Sequence, residues 1–348
     1  MTWFPGEDLL KKMWETIADK GIGNLLKPWH LTREERAHTE ARKNDLLVMA
    51  QAKHHANEIE AGRMKILPNG ALLQISQTDY DNVFPMISSE GRIEPSLYVS
   101  RLAENVSARN VADGIRSDVN VAHAVIMAEE ILSHDNQPAS DETVDDDWLY
   151  AWRDHASNVS NDELQRLWAK LLAGEIKNPG TFSLRTLEFV RTLSKAEATA
   201  ISQLAAFIIS GIVVCDDTTR KIMENNRVGF SLFFKMGEIG ILNGIQSPGV
   251  NITYDSELPD RFYKSLKLQN IVLTIECQGQ RTLELNGYPL TTLGDEVLLL
   301  GTFTANEEYA HAIIRKLILA GYQVSKSDVI EELGGKRYTH SIGILQSY

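Results

Sequence analysis

Hydrophobic positions recur at helical spacing through the first part of the chain and give way to short β-branched runs in the last part. Leu9, Leu10, Met13, Trp14 and Ile17 set one apolar face on a short helix after Pro5. That face can dock on the chain's own core or on a second subunit. A membrane surface is disfavoured, because Glu7, Asp8, Glu15 and Asp19 offset Lys11, Lys12 and Lys20, and interfacial helices are richer in Lys and Arg. Thr32 and Glu35 match a capping box, and no Gly or Pro interrupts the chain from there to Ala61. The helix so predicted is about 45 Å long. Its apolar positions, Ala37, Ala41, Leu46, Leu47, Met49, Ala50, Ala52, Ala56 and Ile59, form a thin alanine-rich seam. Such a helix either bridges solvent or lies against partner helices, which makes it a candidate assembly contact.

Residues 62–96 mix short apolar runs with Pro68, Gly70, Pro85, Gly91 and Pro95 and read as a loop-rich connection. Leu102, Val106, Val111, Ile115, Val119, Ala122, Val125, Ile126 and Ile131 predict one or two helices over residues 97–132, with Gly114 as the weak point. An acidic linker follows over residues 134–147, carrying Asp141, Glu142, Asp145, Asp146 and Asp147. These acids lack the spacing of a calcium loop. They suit the positive end of the helix that follows.

The densest signals lie between Asp147 and Leu193. Trp148 and Trp152, four apart, share one helical face as core anchors. Ser160 and Glu163 predict a capping box that opens a helix near Asn161. Its buried stripe comprises Leu164, Leu167, Trp168, Leu171, Leu172 and Ile176. Glu175 falls on the same stripe and needs a partner, because an unpaired buried charge is costly; Arg185 and Arg191 of the next helix are the candidates. Asn178, Pro179 and Gly180 break the helix and Ser183 caps its successor, giving a helical hairpin.

Ser194 and Glu197 predict a third capping box, with Ile201, Leu204, Ala205 and Ile208 facing inward. After the β-branched run Ile212 to Cys215, a helical segment spans Val228 to Ile241. Strands are predicted over residues 250–254, 263–268, 271–277 and 282–285. A helix over residues 290–301, a last helix from Asn306 to Ala320 and a strand at residues 322–324 complete the chain. This succession resembles a winged-helix module. The fold is thus expected to be mainly α with an α+β C-terminal module. It divides into N-terminal helices (1–64), a loop-rich connection with a helical segment (65–140), a central helical segment (141–193) and a winged-helix-like domain (194–348).

The runs DW at Asp147 and Trp148, SNDELQRLWAKLLAGEI from Ser160 to Ile176 and PGTFSLRTLE from Pro179 to Glu188 resemble the bacterial domain-of-unknown-function family 2806. Weaker similarity extends back through GIGNLLKPW, from Gly21 to Trp29, and through residues 109–132, and forward into the C-terminal part. The family brings no established activity. Its resemblance to components of bacterial defence against phages or mobile elements implies a role of that class.

Composition narrows the classes further. The 348 residues are 43% hydrophobic and 24% charged, as in folded soluble proteins. No apolar run is long enough for a membrane span and no basic-then-apolar leader opens the chain, so a cytoplasmic location is expected. Cys215 and Cys277 are too few for a disulfide framework and read as reduced thiols. The net charge of −12 is spread as 0 over residues 1–64, −5 over 65–140, −4 over 141–193 and −3 over 194–348. No segment forms a basic domain. Phosphate-loop, dinucleotide, nucleophile-elbow and HExxH motifs are missing, and no cofactor is expected. His54, His55 and Glu58 lack a third convergent ligand, and His155 lacks an opposing nucleophile.

The leading expectation is a non-enzymatic interaction protein that forms homo-oligomers through the long helix and the N-terminal helix. The first alternative is a DNA-binding winged helix using Arg220, Lys221, Arg227 and Lys235, near Asn225 and Asn226. The second is a metal-dependent hydrolase or nuclease using Glu175, Asp145 to Asp147 or His155.

Overall fold

The computed structural model describes residues 6–20, 22, 38–67, 69–75, 99–332 and 335–338. About 54% of the described residues are in helix and 16% in strand. The Thr32–Glu35 capping box, and the Gly21 to Trp29 stretch apart from Ile22, lie outside the described residues. The chain divides into one unit of Met1–Ser133 with Gln137–Pro179 and another of His134–Asn136 with Gly180–Tyr348.

In the first unit, helix α1 (Glu7–Asp19) buries Leu9, Leu10, Met13, Trp14 and Ile17. It packs on α3 (Val99–Ser133) and α5 (Asp162–Lys177). Burying each such side chain contributes about 1.5–3 kcal/mol. The Trp14 indole N–H donates to Glu129 at 3.3 Å. Gly6 starts α1 with φ of 77°, and a Cβ there would lie 2.1 Å from the Leu132 carbonyl oxygen. No other residue fits this junction. The N-terminal helix therefore closes its apolar face on its own unit, the first of the two dockings expected for it.

Helix α2 (His38–Glu60) lies along α3, with Ala56, Ile59 and Ala112 in the seam. Its small residues allow close approach, as the alanine pattern predicts. Leu46, Leu47 and Val48 remain exposed on α2. Between the two helices, Met64–Ile66 (β1) and Leu72–Gln74 (β2) form an antiparallel hairpin inside the stretch expected to be loop. Helix α3 is a single element of 35 residues that runs through Gly114. One glycine costs a helix only about 1 kcal/mol, and the following turns are anchored by buried Val119, Ala122, Val125 and Ile126.

Asp145 caps α4 (Asp146–Ala156) by accepting from the Trp148 amide at 2.9 Å. The Trp152 indole donates to the Trp168 carbonyl of α5 at 2.8 Å. Asn161, not Ser160, caps α5: its amide oxygen accepts from the Glu163 and Leu164 backbones at 3.0 and 3.2 Å. Trp168, Leu171, Leu172 and Ile176 are buried as expected, whereas Leu164 is exposed because it lies in the first turn, ahead of the packed stretch. A polar network ties α3 to the α4–α5 turn: His123 bonds Gln165, which donates to the Val159 carbonyl, and Asn120 donates to that of Ser157.

The second unit starts with α6 (Leu184–Thr192), capped by Ser183, and α7 (Lys195–Ala205), opened by the Ser194–Glu197 capping box. The boundary between units falls after Pro179, so α5 belongs to the first unit and α6 to the second. The start of α6 is held inside its own unit by Glu296 of α10 (Thr292–Leu299). That carboxylate accepts from the Ser183 amide at 2.7 Å, the Ser183 hydroxyl at 2.9 Å and the Thr186 hydroxyl at 2.5 Å.

Strand β3 (Ile212–Val214), helices α8 (Asp217–Asn225) and α9 (Phe230–Glu238) and strand β4 (Val250–Tyr254) follow. The hairpin of β5 (Phe262–Leu268) and β6 (Ile271–Cys277) precedes β7 (Leu283–Pro289). Strand β7 lies between β3 and β4 and is antiparallel to both. Gly287 permits this, since a Cβ on it would stand 2.2 Å from the Val213 carbonyl oxygen. After α11 (Glu307–Leu319), β8 (Gln323–Glu332) pairs with β6 and with β9 (Gly335–Tyr338), extending well beyond the short terminal strand expected. The Tyr309 hydroxyl of α11 donates to the Val214 carbonyl at 3.0 Å, and its ring meets Phe207 edge-on.

Candidate functional site

The chain leaves β3 through Cys215 and Asp216. Asp216 caps α8 by accepting from the Thr218 and Thr219 amides at 3.0 and 2.9 Å, and receives Lys316 of α11 at 2.9 Å. Partial burial pushes its carboxyl up, but the Thr219 amide and Lys316 outweigh that, so its pKa lies below the ordinary value. Ile222 and Met223 turn inward. The helix ends at Asn226, the chain reverses through Arg227 with φ of 64°, and Gly229 opens α9.

Helix α9 buries Phe233 and Met236. Phe230 and Phe234, four apart, face solvent with 76% and 45% of their surface exposed and ring centroids 6.3 Å apart. Ser231 and Glu238 are exposed on the same helix. A groove of about 350 Å³ runs beside Phe234, lined by Gly237, Leu242 and Ile245. The outward side of α9 thus carries two aromatics and one acid, with Lys235 half-buried beside them.

The four candidate nucleic-acid cations do not share one setting. The Arg220 guanidinium lies beside the Cys215 sulfur, which raises its already high pKa, with a weaker contribution from Asp217. Lys221 lines a groove toward α11. Lys235 lies within electrostatic reach of Glu197 on α7. Arg227 occupies the turn between α8 and α9, and Asn226 caps α8 with its side chain donating to the Ile222 carbonyl at 2.8 Å.

The tryptophans of the signature are core residues: Trp148, Trp152 and Trp168 are buried in the first unit. Glu175 is buried on α5 and lies within electrostatic reach of Lys12. Its candidate partners belong to the second unit, where Arg185 approaches Gly240 and Arg191 pairs with Glu188 at 2.8 Å. His155 packs against Trp168 with ring centroids 5.6 Å apart. The aspartate run is divided in role, since Asp145 caps α4 and Asp146 pairs with Lys20 at 2.7 Å. Arg63 grips Glu58 through two hydrogen bonds, which hold that carboxyl below its ordinary value.

Two features escape a reading based on cations and motifs. One is the outward pair Phe230 and Phe234, which spacing alone does not separate from the buried Phe233, because positions i, i+3 and i+4 share one helical face. The other is the groove between α8 and α11, whose far wall bears His311 and Arg315. Those residues lie more than 80 positions from α8, beyond any local pattern.

No curated protein and no solved structure matches the chain. A family described as "Protein of unknown function (DUF2806)" matches residues 104–314, which include α4 to α10 and most of α3 and α11. With more than half of its length matched, the chain belongs to the DUF2806 family.

Proposed function

We propose that this chain is a non-enzymatic interaction protein that self-associates, with its C-terminal unit as a winged-helix module adapted to bind protein. The winged-helix reading is supported by the order α7, β3, α8, α9, β4, β7 with β7 as the central strand; in this reading β5 and β6 are an insertion in the wing. The observation that carries the function is the outward pair Phe230 and Phe234. In a DNA-reading winged helix, the equivalent helix enters the major groove, where hydrogen-bonding and cationic side chains contact bases and phosphates. An exposed aromatic face instead suits apolar contact with protein. Leu46, Leu47 and Val48 on α2 form a second outward apolar surface for assembly.

Light scattering on the intact chain tests the assembly, and binding to duplex DNA across a salt series tests the competitor. The proposal expects a mass above the 39.0 kDa monomer and no steeply salt-dependent DNA affinity. A persistent monomer would contradict it. So would DNA binding that Arg220→Ala with Lys221→Ala weakens while flattening its salt slope.

A further inference from the structure

The hairpin of β1 and β2 in the first unit leaves a strand edge open. The Leu67 amide donates to the Ala71 carbonyl at 2.9 Å, and the Ile75 amide donates to that of Arg63 at 2.8 Å. Hydrogen-bonded and non-hydrogen-bonded pairs alternate along an antiparallel ladder, so Lys65 and Leu73, midway between those two pairs, bond across the hairpin. The backbone N–H and C=O groups of Leu72 and Gln74 therefore point away from β1, and no described residue bonds them. All three residues of β2 are exposed, Leu72 at 43% and Leu73 at 50%. Met64 of β1 anchors the hairpin on the seam of Ala56, Ile59 and Ala112. Exposed edges are ordinarily protected by charge, lysine above all. Strand β1 carries Lys65, whereas residues 66–78 contain no charged side chain. The edge of β2 thus lacks the usual protection against pairing.

We infer that β2 pairs edge to edge with β2 of a second copy of this chain, giving an antiparallel sheet of order β1–β2–β2–β1. An open edge is matched by another strand, which supplies a donor for each carbonyl and an acceptor for each amide. A two-fold axis at Leu73 meets that requirement with identical sequences. Leu72 of each copy then bonds Gln74 of the other, and the two Leu73 side chains meet at a non-hydrogen-bonded position, where cross-strand side chains approach closest. The uncharged stretch brings no like charges together across the axis. Pairing through β1 would instead oppose Lys65 to itself, which is unfavourable. Water can serve the edge groups, but a second strand also covers Leu73. The inference rests on the self-association proposed above and names a contact for it in the first unit, distinct from the aromatics of α9.

Cross-linking and sedimentation of the full chain test it. In a background of Cys215→Ser and Cys277→Ser, adding Leu73→Cys should give a disulfide-linked dimer under oxidised glutathione, because Cα atoms at such a position stand about 4.5 Å apart, within disulfide reach. Lys65→Cys in the same background should not cross-link, its two copies lying about 14 Å apart across the paired strands. In the otherwise unaltered chain, Leu73→Lys opposes two cations across the axis. Gln74→Pro removes an outward donor and no bond inside the hairpin. Each should weaken self-association at least about tenfold, with circular dichroism reporting an unchanged fold. A wild-type chain that stays monomeric overturns the inference together with the self-association it rests on. An assembled wild type overturns the inference alone if Leu73→Cys fails to cross-link, if Lys65→Cys cross-links as well, or if Leu73→Lys leaves the affinity unaltered.

Discussion

Helices α5 and α9 are both amphipathic, yet they treat their apolar residues in opposite ways. Helix α5 turns Trp168, Leu171, Leu172 and Ile176 into the first unit and leaves the side chain of Trp168 almost without exposed surface. Helix α9 buries Phe233 and Met236 but turns Phe230 and Phe234 to solvent. Burial in α5 stabilises the fold. The outward aromatics of α9 contribute less to the isolated unit, because 76% of Phe230 and 45% of Phe234 stay in contact with water; that apolar surface would be buried only on association.

The widest separation should come from truncating one residue of each helix. Trp168→Ala is expected to destabilise the chain by about 3–5 kcal/mol through lost burial and a residual cavity. Phe230→Ala, at a position 76% exposed, should stay within about 0.5 kcal/mol, as surface changes do. Chemical denaturation of the two variants compares them directly, and a large loss in Phe230→Ala would erase the contrast.

Smaller effects probe how each unit holds its helices. Glu296→Ala removes one acceptor from three donors at the start of α6 and should cost about 1.5–3 kcal/mol in equilibrium unfolding, the range for bonds to a charged group. Trp152→Phe deletes the bond to the Trp168 carbonyl and should cost about 1 kcal/mol. Trp148→Phe should cost less, since the Trp148 indole N–H is buried without a partner among the described residues. Comparing the two melting curves isolates the bond from the ring. At Gly114 a Cβ would meet nothing within 4 Å, so Gly114→Ala should stabilise α3 by about 0.5–1 kcal/mol.

The smallest effect is a pH dependence. The folded pKa of Asp216 is depressed, its burial being outweighed by the Thr219 amide and Lys316. Its stabilisation is therefore fully present above the unfolded value of about 4 and fades as pH falls through the lower folded value. Asp216→Asn keeps a capping side chain and should remove this acid-side slope. A slope unchanged in Asp216→Asn, followed by thermal melts across acidic pH, would assign it to other carboxylates.

Much of the helical architecture was legible from periodicity and caps. The Trp148 and Trp152 anchors, the buried stripe from Trp168 to Ile176, Ser183 and the Ser194–Glu197 box all act locally. Helix α8 was not identified, because its sequence buries only Ile222, Met223 and Thr219 and presents mostly charged and polar residues. The central place of β7 depends on pairing with β3 and β4 across the chain, which strand periodicity does not encode. The site was less legible than the fold. Arg220, Lys221, Arg227 and Lys235 cluster in sequence but have separate neighbours. Lys221 and Arg315 converge only once α8 and α11 pack together.

Sedimentation of the intact chain over a concentration series, beside the combined Phe230→Asp and Phe234→Asp variant, tests the central claim most directly. The account predicts that the wild-type chain sediments above its 39.0 kDa monomer mass and that the variant, equally folded by circular dichroism, shifts toward the monomer. A wild-type chain that remains monomeric throughout, or a variant that assembles as readily as the wild type, would contradict it.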